Sequence, residues 1–223
     1  MIVLIVLAIS LQDGTAEESY RRIEETLAKA KSLSIKYQVE LAMGGQKMTA
    51  SGTVLLKEGN RLKVTLSSAD AGVAKQDASS VSDGSNVRSL PMRPGSTETE
   101  WVTPKTLNER VTVALLRSGC FELHRLPGRM RDYDTNPKDS LVVSDLRKGD
   151  DDSGLRTLVY TLQEGSGRGE MRVWIDPKTW LLRKRVLTLP AQGPQRPATV
   201  TETYETFAVN SEIPNEVFKL TDK

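Results

Sequence analysis

The sequence predicts a mainly β (α+β) chain in which a curled antiparallel sheet forms an unclosed β-barrel with a helical lid. Three observations predict it. Apolar and polar residues alternate with period two along most of the chain, and only two stretches carry a helical period. The composition, 38% hydrophobic and 27% charged over 223 residues, is that of a globular chain. No Pro/Gly/Ser-rich linker parts two cores, so residues 17–223 read as a single domain.

Residues 2–11 form an apolar run, IVLIVLAISL, interrupted only by Ser10. At ~1.5 Å per residue, a helix of that length falls well short of a ~30 Å hydrocarbon core. It matches the apolar region of a secretory signal, and the small residues Gly14 and Ala16 ahead of Glu17 and Glu18 set cleavage after Ala16. The expectation is a signal peptide over 1–16 and a soluble periplasmic protein; a buried N-terminal strand is the alternative use of the run. No cysteine follows it to accept a lipid anchor, and a single cysteine in the chain suits a bacterial envelope better than an extracellular disulfide scaffold.

A first helix is predicted over 17–31, where Tyr20, Ile23, Leu27 and Ala30 fall at three- and four-residue spacing. The period then changes to two. Leu33, Ile35, Tyr37, Val39, Leu41 and Met43 alternate with mostly polar neighbours, Gly44-Gly45 turns the chain, and Met48, Ala50, Gly52, Val54 and Leu56 continue the pattern. After Glu58-Gly59-Asn60, a third strand carries Leu62, Val64 and Leu66. A loop over 69–78 precedes a short hairpin, Val81-Ser82 and 87–90 around Asp83-Gly84, and 100–103 suggests one more strand.

Thr103 and Pro104 open the second helix, with Leu107, Val111, Ala114, Leu115 and Ser118 along one stripe and Gly119 at its end. A strand over 121–126 follows. Further strands fall at about 141–148, 155–164, 169–176, 182–189 and 199–208. Laid flat at ~4.8 Å spacing, ten or so strands span roughly 48 Å, while each helix shields only ~10 Å. The sheet must curl, with the helices over its mouth. Few aromatics (5%) are present to fill the concave face, which favours an apolar cavity; a barrel packed to its centre fits the same pattern.

The net charge of +2 excludes a strongly basic nucleic-acid module. Cys120 and His124 would lie ~13 Å apart on a strand, too far for a nucleophile and its base. Asp150-Asp151-Asp152 lacks the spaced oxygens of a calcium loop, and 165–169 (GSGRG) lacks the Lys-Ser/Thr of a phosphate loop. Both read as turns. No enzyme, metal or cofactor is expected. Arg183-Lys184-Arg185, after Trp180, reads as an edge or rim, with Arg183 and Arg185 on one face. Met43, Met48 and Met171 take inward or near-turn positions.

Four segments carry a resemblance to a known family. Residues 52–64 (GTVLLKEGNRLKV), the hairpin Ser82-Asp83-Gly84-Ser85-Asn86-Val87, the stretch 173–182 (VWIDPKTWLL) and the ending Ile213-Pro214-Asn215-Glu216-Val217-Phe218 are similar, in order and spacing, to the LolA-like periplasmic lipoprotein carriers. The resemblance implies an unclosed barrel that holds lipoprotein acyl chains or another lipid without catalysis or metal. It also covers sensor-type domains that regulate a protein partner. One departure is that Leu56-Lys57-Glu58-Gly59 stands where carriers often place an Arg-Pro that holds the lid.

The expected function is carriage of lipoprotein acyl chains or another lipid between membranes, by a monomer working with membrane-bound donor and acceptor proteins and no nucleic acid. The expected cavity wall is Ile35, Tyr37, Val39, Val54, Leu62, Val64 and Leu66, beneath a lid of Leu107, Val111 and Leu115. The rival reading is a non-enzymatic sensor that meets its partner through a sheet edge or the rim near Arg183 and Arg185.

Overall fold

A computed structural model describes residues 14–59, 61–68, 77–90, 142–164, 167–191 and 196–220. The signal-like run, the expected strands at 100–103 and 121–126, and the second helix with Leu107, Val111 and Leu115 lie outside the described residues. So do Cys120 and His124.

The first helix, α1 (Ala16–Ala28), starts where the side chain of Thr15 accepts the Glu18 N–H at 3.1 Å. Glu17 and Glu18 occupy its first turn, where they suit the dipole. It stops three residues short of the predicted end because the sheet claims the next backbone groups. The Lys31 N–H donates to Asn210 Oδ1 at 2.9 Å, and the Asn210 N–H donates to the Ser32 carbonyl at 2.9 Å. Ile23 and Leu27 are buried, Tyr20 meets Tyr160 edge-on at 5.6 Å, and Arg22 and Arg156 both lie over the Trp180 ring. Those contacts seat the helix on the sheet.

Among the described residues ten strands follow: β1 (Ser32–Met43), β2 (Gln46–Lys57), β3 (Arg61–Ser68), β4 (Asp77–Asp83), β5 (Val87–Leu90), β6 (Val142–Lys148), β7 (Arg156–Glu164), β8 (Gly167–Asp176), β9 (Leu181–Leu189) and β10 (Ala198–Val209). They form one antiparallel sheet in the order β5-β4-β3-β2-β1-β10-β9-β8-β7-β6. The first half of the chain lays hairpins outward from the centre. The second half starts at the far edge and returns until β10 pairs with β1. The outer strands β5 and β6 do not pair with each other, so the barrel is unclosed.

The sheet curls because its two wings share a core. One buried cluster takes in Val54, Leu62 and Val64 from one wing, Leu158, Val173 and Ile175 from the other, and Ile23 and Leu27 from α1. A flat sheet of this width could not bring them together. Both edges are blunted: β5 is four residues long, and β6 carries a bulge between Ser144 and Arg147 with Asp145 at φ 55°. A 3-10 turn (Asn215–Phe218) packs against β3 and β4 and buries Phe218.

Candidate functional site

The inner face is built in rungs of cross-strand partners. At the base, Leu33, Ile35 and Tyr37 of β1 lie opposite Leu56, Val54 and Gly52 of β2, and Leu62, Val64 and Leu66 of β3 extend the rungs. Tyr37 also pairs with Tyr204, and Ile35 with Phe207. A side chain at Gly52 would strike the Tyr37 hydroxyl and the Thr65 carbonyl, so the glycine makes room for the ring. All these residues except Leu56 and the glycine belong to the buried core.

Toward the other end of the same face the rungs stay apolar but open. One rung runs Met48–Leu41–Val200–Leu187–Met171–Tyr160, and the next joins Met43, Ala198 and Leu189. Along β1 the inward residues pass from fully buried Leu33, Ile35 and Tyr37, through half-buried Val39 and Leu41, to Met43. Met43 (44%), Met48 (43%) and Leu189 (36%) are the large apolar side chains exposed among the described residues, and all three stand on this end of this face. Gly169 lies against the Leu187 and Leu189 side chains, leaving them space.

Between base and open end lies a polar rung: Ala50–Val39–Glu202–Arg185–Val173–Leu158. Arg185 Nη2 donates to Glu202 Oε2 at 2.6 Å, and the two side chains are only 3% and 2% exposed. The Tyr204 hydroxyl donates to the same carboxylate oxygen, and the Arg185 guanidinium lies 5.7 Å from the Tyr204 ring centroid. Glu202 Oε1 is buried and accepts no hydrogen bond among the described residues. A buried charge pair is tolerated only when hydrogen-bonded, so this rung is organised and incompletely satisfied at once.

That arrangement corrects the rim reading of Arg183 and Arg185. A register shift between Trp174 and Ile175 inserts a residue into β9, so the two arginines part company. Arg185 turns into the core. Arg183 stays at the hairpin end and bonds Asp176 at 2.9 Å. The Arg183 guanidinium, with the Lys178 backbone N–H, holds the Asp176 carboxyl below the ordinary carboxylate range. Arg185 is thus no part of an exposed rim, while Arg183 stays half-exposed.

Of the expected wall, Ile35, Tyr37, Val54, Leu62, Val64 and Leu66 are buried core and Val39 is half-buried beside the polar rung. The alternation that selected them says which face they share, not how far along it the face opens. Leu41, Leu187, Leu189, Val200 and Glu202 share this face and were not among the expected wall residues. Glu202 carried a signal, since it takes an inward place between Val200 and Tyr204 in an alternating strand.

Two open clefts of about 470 Å³ each lie elsewhere. One, near the end of α1, is lined by Lys29, Lys31, Lys57, Glu58 and Glu212; the other is lined mainly by hydroxyl and amide side chains such as Gln38, Thr49, Thr201 and Thr203. Asp151 Oδ1 accepts the Thr157 N–H at 3.1 Å, which gives that aspartate a turn-closing place.

The fold and this face define a class: an unclosed antiparallel half-barrel whose apolar interior opens at one end. No protein-family model and no curated protein matches the chain. Among solved structures it is similar to a chain of the MucA/MucB complex of Pseudomonas aeruginosa (13% identity, TM-score 0.43, 92% of this chain and 61% of that one). It is similar also to a LolA superfamily protein from Nitrosomonas europaea (12%, 0.39, 93% and 98%) and to LprF from Mycobacterium bovis (13%, 0.41, 90% and 98%). These likenesses are distant, and the functional reading below stands on the face itself.

Proposed function

We propose that the protein binds an acyl chain on the open apolar end of its inner face, as a periplasmic carrier of lipoprotein acyl chains or another lipid. One observation carries this reading. The exposed large apolar residues Met43, Met48 and Leu189 are not scattered but meet on one face, continuous with half-buried Leu41 and Val200 and buried Leu187 and Met171. A contiguous exposed apolar surface marks a binding site far more often than chance placement would. Methionine suits such a lining because its unbranched, polarizable chain adapts to different occupants.

The buried base, with Ile35, Tyr37, Val54, Leu62, Val64 and Leu66, then serves as a rigid floor rather than as the contact surface. Each acyl methylene removed from water contributes ~0.8 kcal/mol, so affinity rises steeply with chain length until the floor is reached.

Native mass spectrometry of the protein purified from its own cells without detergent tests the reading. The expected result is a bound species of acyl-lipid mass. A bare protein that also fails to take up added methyl tetradecanoate overturns it.

A further inference from the structure

The polar rung has no purpose in a surface that only holds hydrocarbon. Replacing a buried ion pair by apolar residues of similar size is commonly neutral or stabilising, so a pair retained inside an apolar wall calls for a reason. Its geometry supplies one. Oε2 of Glu202 takes two donors, the Arg185 guanidinium and the Tyr204 hydroxyl, and that fixes the carboxylate in place. Oε1 has none among the described residues. A buried acceptor left empty costs free energy that a donor brought by a ligand would recover.

Position agrees. Glu202 is four residues along β10 from Ala198, hence ~13 Å from the exposed rung of Met43, Ala198 and Leu189. Among the described residues, the apolar rung of Leu41, Val200 and Leu187 lies between them. A chain entering from the open end would run over that rung and meet the carboxylate where the buried base begins.

We propose that Glu202 Oε1 accepts a hydrogen bond from the ligand, and that the protein selects acyl chains carrying a hydroxyl donor near their buried end over plain ones. This inference rests on the acyl-binding reading above. Arg185 and Tyr204 act as positioning residues: they hold the carboxylate aimed, and the donor touches Glu202 alone.

The test compares methyl 14-hydroxytetradecanoate, whose hydroxyl lies at the end of the chain that reaches the base, with methyl tetradecanoate as competitors of a fluorescent acyl probe. Both are uncharged and share one chain length, so they differ in the donor. The wild-type protein is expected to bind the hydroxy ester about tenfold more tightly, which is about 1.4 kcal/mol. The triple variant Arg185→Met/Glu202→Leu/Tyr204→Phe removes the whole polar rung without leaving either member of the Arg185–Glu202 pair buried alone. It is expected to bind both esters alike, with circular dichroism confirming its fold. Equal binding of the two esters by the wild type overturns the proposal and leaves the acyl-binding reading standing, as does a preference that survives in the triple variant. Binding of neither ester overturns both. If the triple variant does not fold, Arg185→Met with Glu202→Leu is the substitute, and an unchanged preference there also overturns the proposal.

Discussion

Arg185 and Glu202 stand directly opposite each other on neighbouring strands, 2.6 Å apart, on the inner face of an otherwise apolar wall. Neither is a surface charge, and each compensates part of the other's loss of water. The pair therefore stabilises little by itself, yet breaking it by halves is costly.

Glu202→Ala leaves the Arg185 guanidinium buried without its carboxylate and is expected to cost ~3–5 kcal/mol. The triple apolar variant Arg185→Met/Glu202→Leu/Tyr204→Phe should lie within ~1–2 kcal/mol of the wild type or above it. Urea unfolding followed by circular dichroism distinguishes them. A single variant no less stable than the triple one would show that the rung is not organised as an ion pair.

Gly52 supports Tyr37 from across the β1–β2 ladder. Its replacement by alanine would put a Cβ 2.5 Å from both the Tyr37 hydroxyl and the Thr65 carbonyl. Overpacking of this kind costs ~1–3 kcal/mol. Gly45, where an added Cβ meets nothing, is the steric control, although its φ of +84° adds strain of its own. Thermal unfolding should therefore show a loss at Gly52→Ala that persists in Gly52→Ser, while Gly45→Asn, a residue that tolerates this backbone region, stays close to wild type.

Ala16 is buried and Thr15 caps α1, so a chain cut after Ala16 loses both. A recombinant chain starting at Glu17 is expected to be about 1–2 kcal/mol less stable than one starting at Gly14. Side-by-side urea titrations measure it. Sequencing the mature N-terminus from cells shows whether processing respects the cap.

Asp176 is depressed in the folded state by Arg183 and the Lys178 N–H. A carboxyl with a lowered folded value contributes stability that is present above its unfolded value, near pH ~4, and is lost as pH falls through the folded value. Stability should therefore fall on acidification below about pH 4, and Asp176→Asn should flatten that part of the curve. The carboxylate is close to solvent, so the difference is small. An unchanged acid limb in the variant would remove Asp176 from the list of contributors.

Much of the sheet was readable because side chains alternate across a strand. Leu33 to Met43, Met48 to Leu56 and Leu62 to Leu66 give the meander directly, and turns such as Gly44-Gly45 and Asp83-Gly84 separate the hairpins. The end of α1 was not readable, since it is set by Asn210, 179 residues from Lys31. Nor was the fate of Arg185. One inserted residue in β9 takes Arg183 off the face that Arg185 shares with Leu187, and no local pattern announces such a bulge. Burial along the strand was equally hidden: Ile35 and Met43 share a face and a period, and only the curl of the wings decides that one is covered and the other open.

The most direct measurement is methyl-methionine NMR during titration with methyl 14-hydroxytetradecanoate. Met43 and Met48 stand on the exposed rungs, and Met171 lies further along the Met48 rung as a buried neighbour. The account predicts that the Met43 and Met48 methyl resonances shift together and saturate, and that single Leu substitutions assign them. Saturable binding of the ester with both resonances unmoved, or no binding at all, would contradict it.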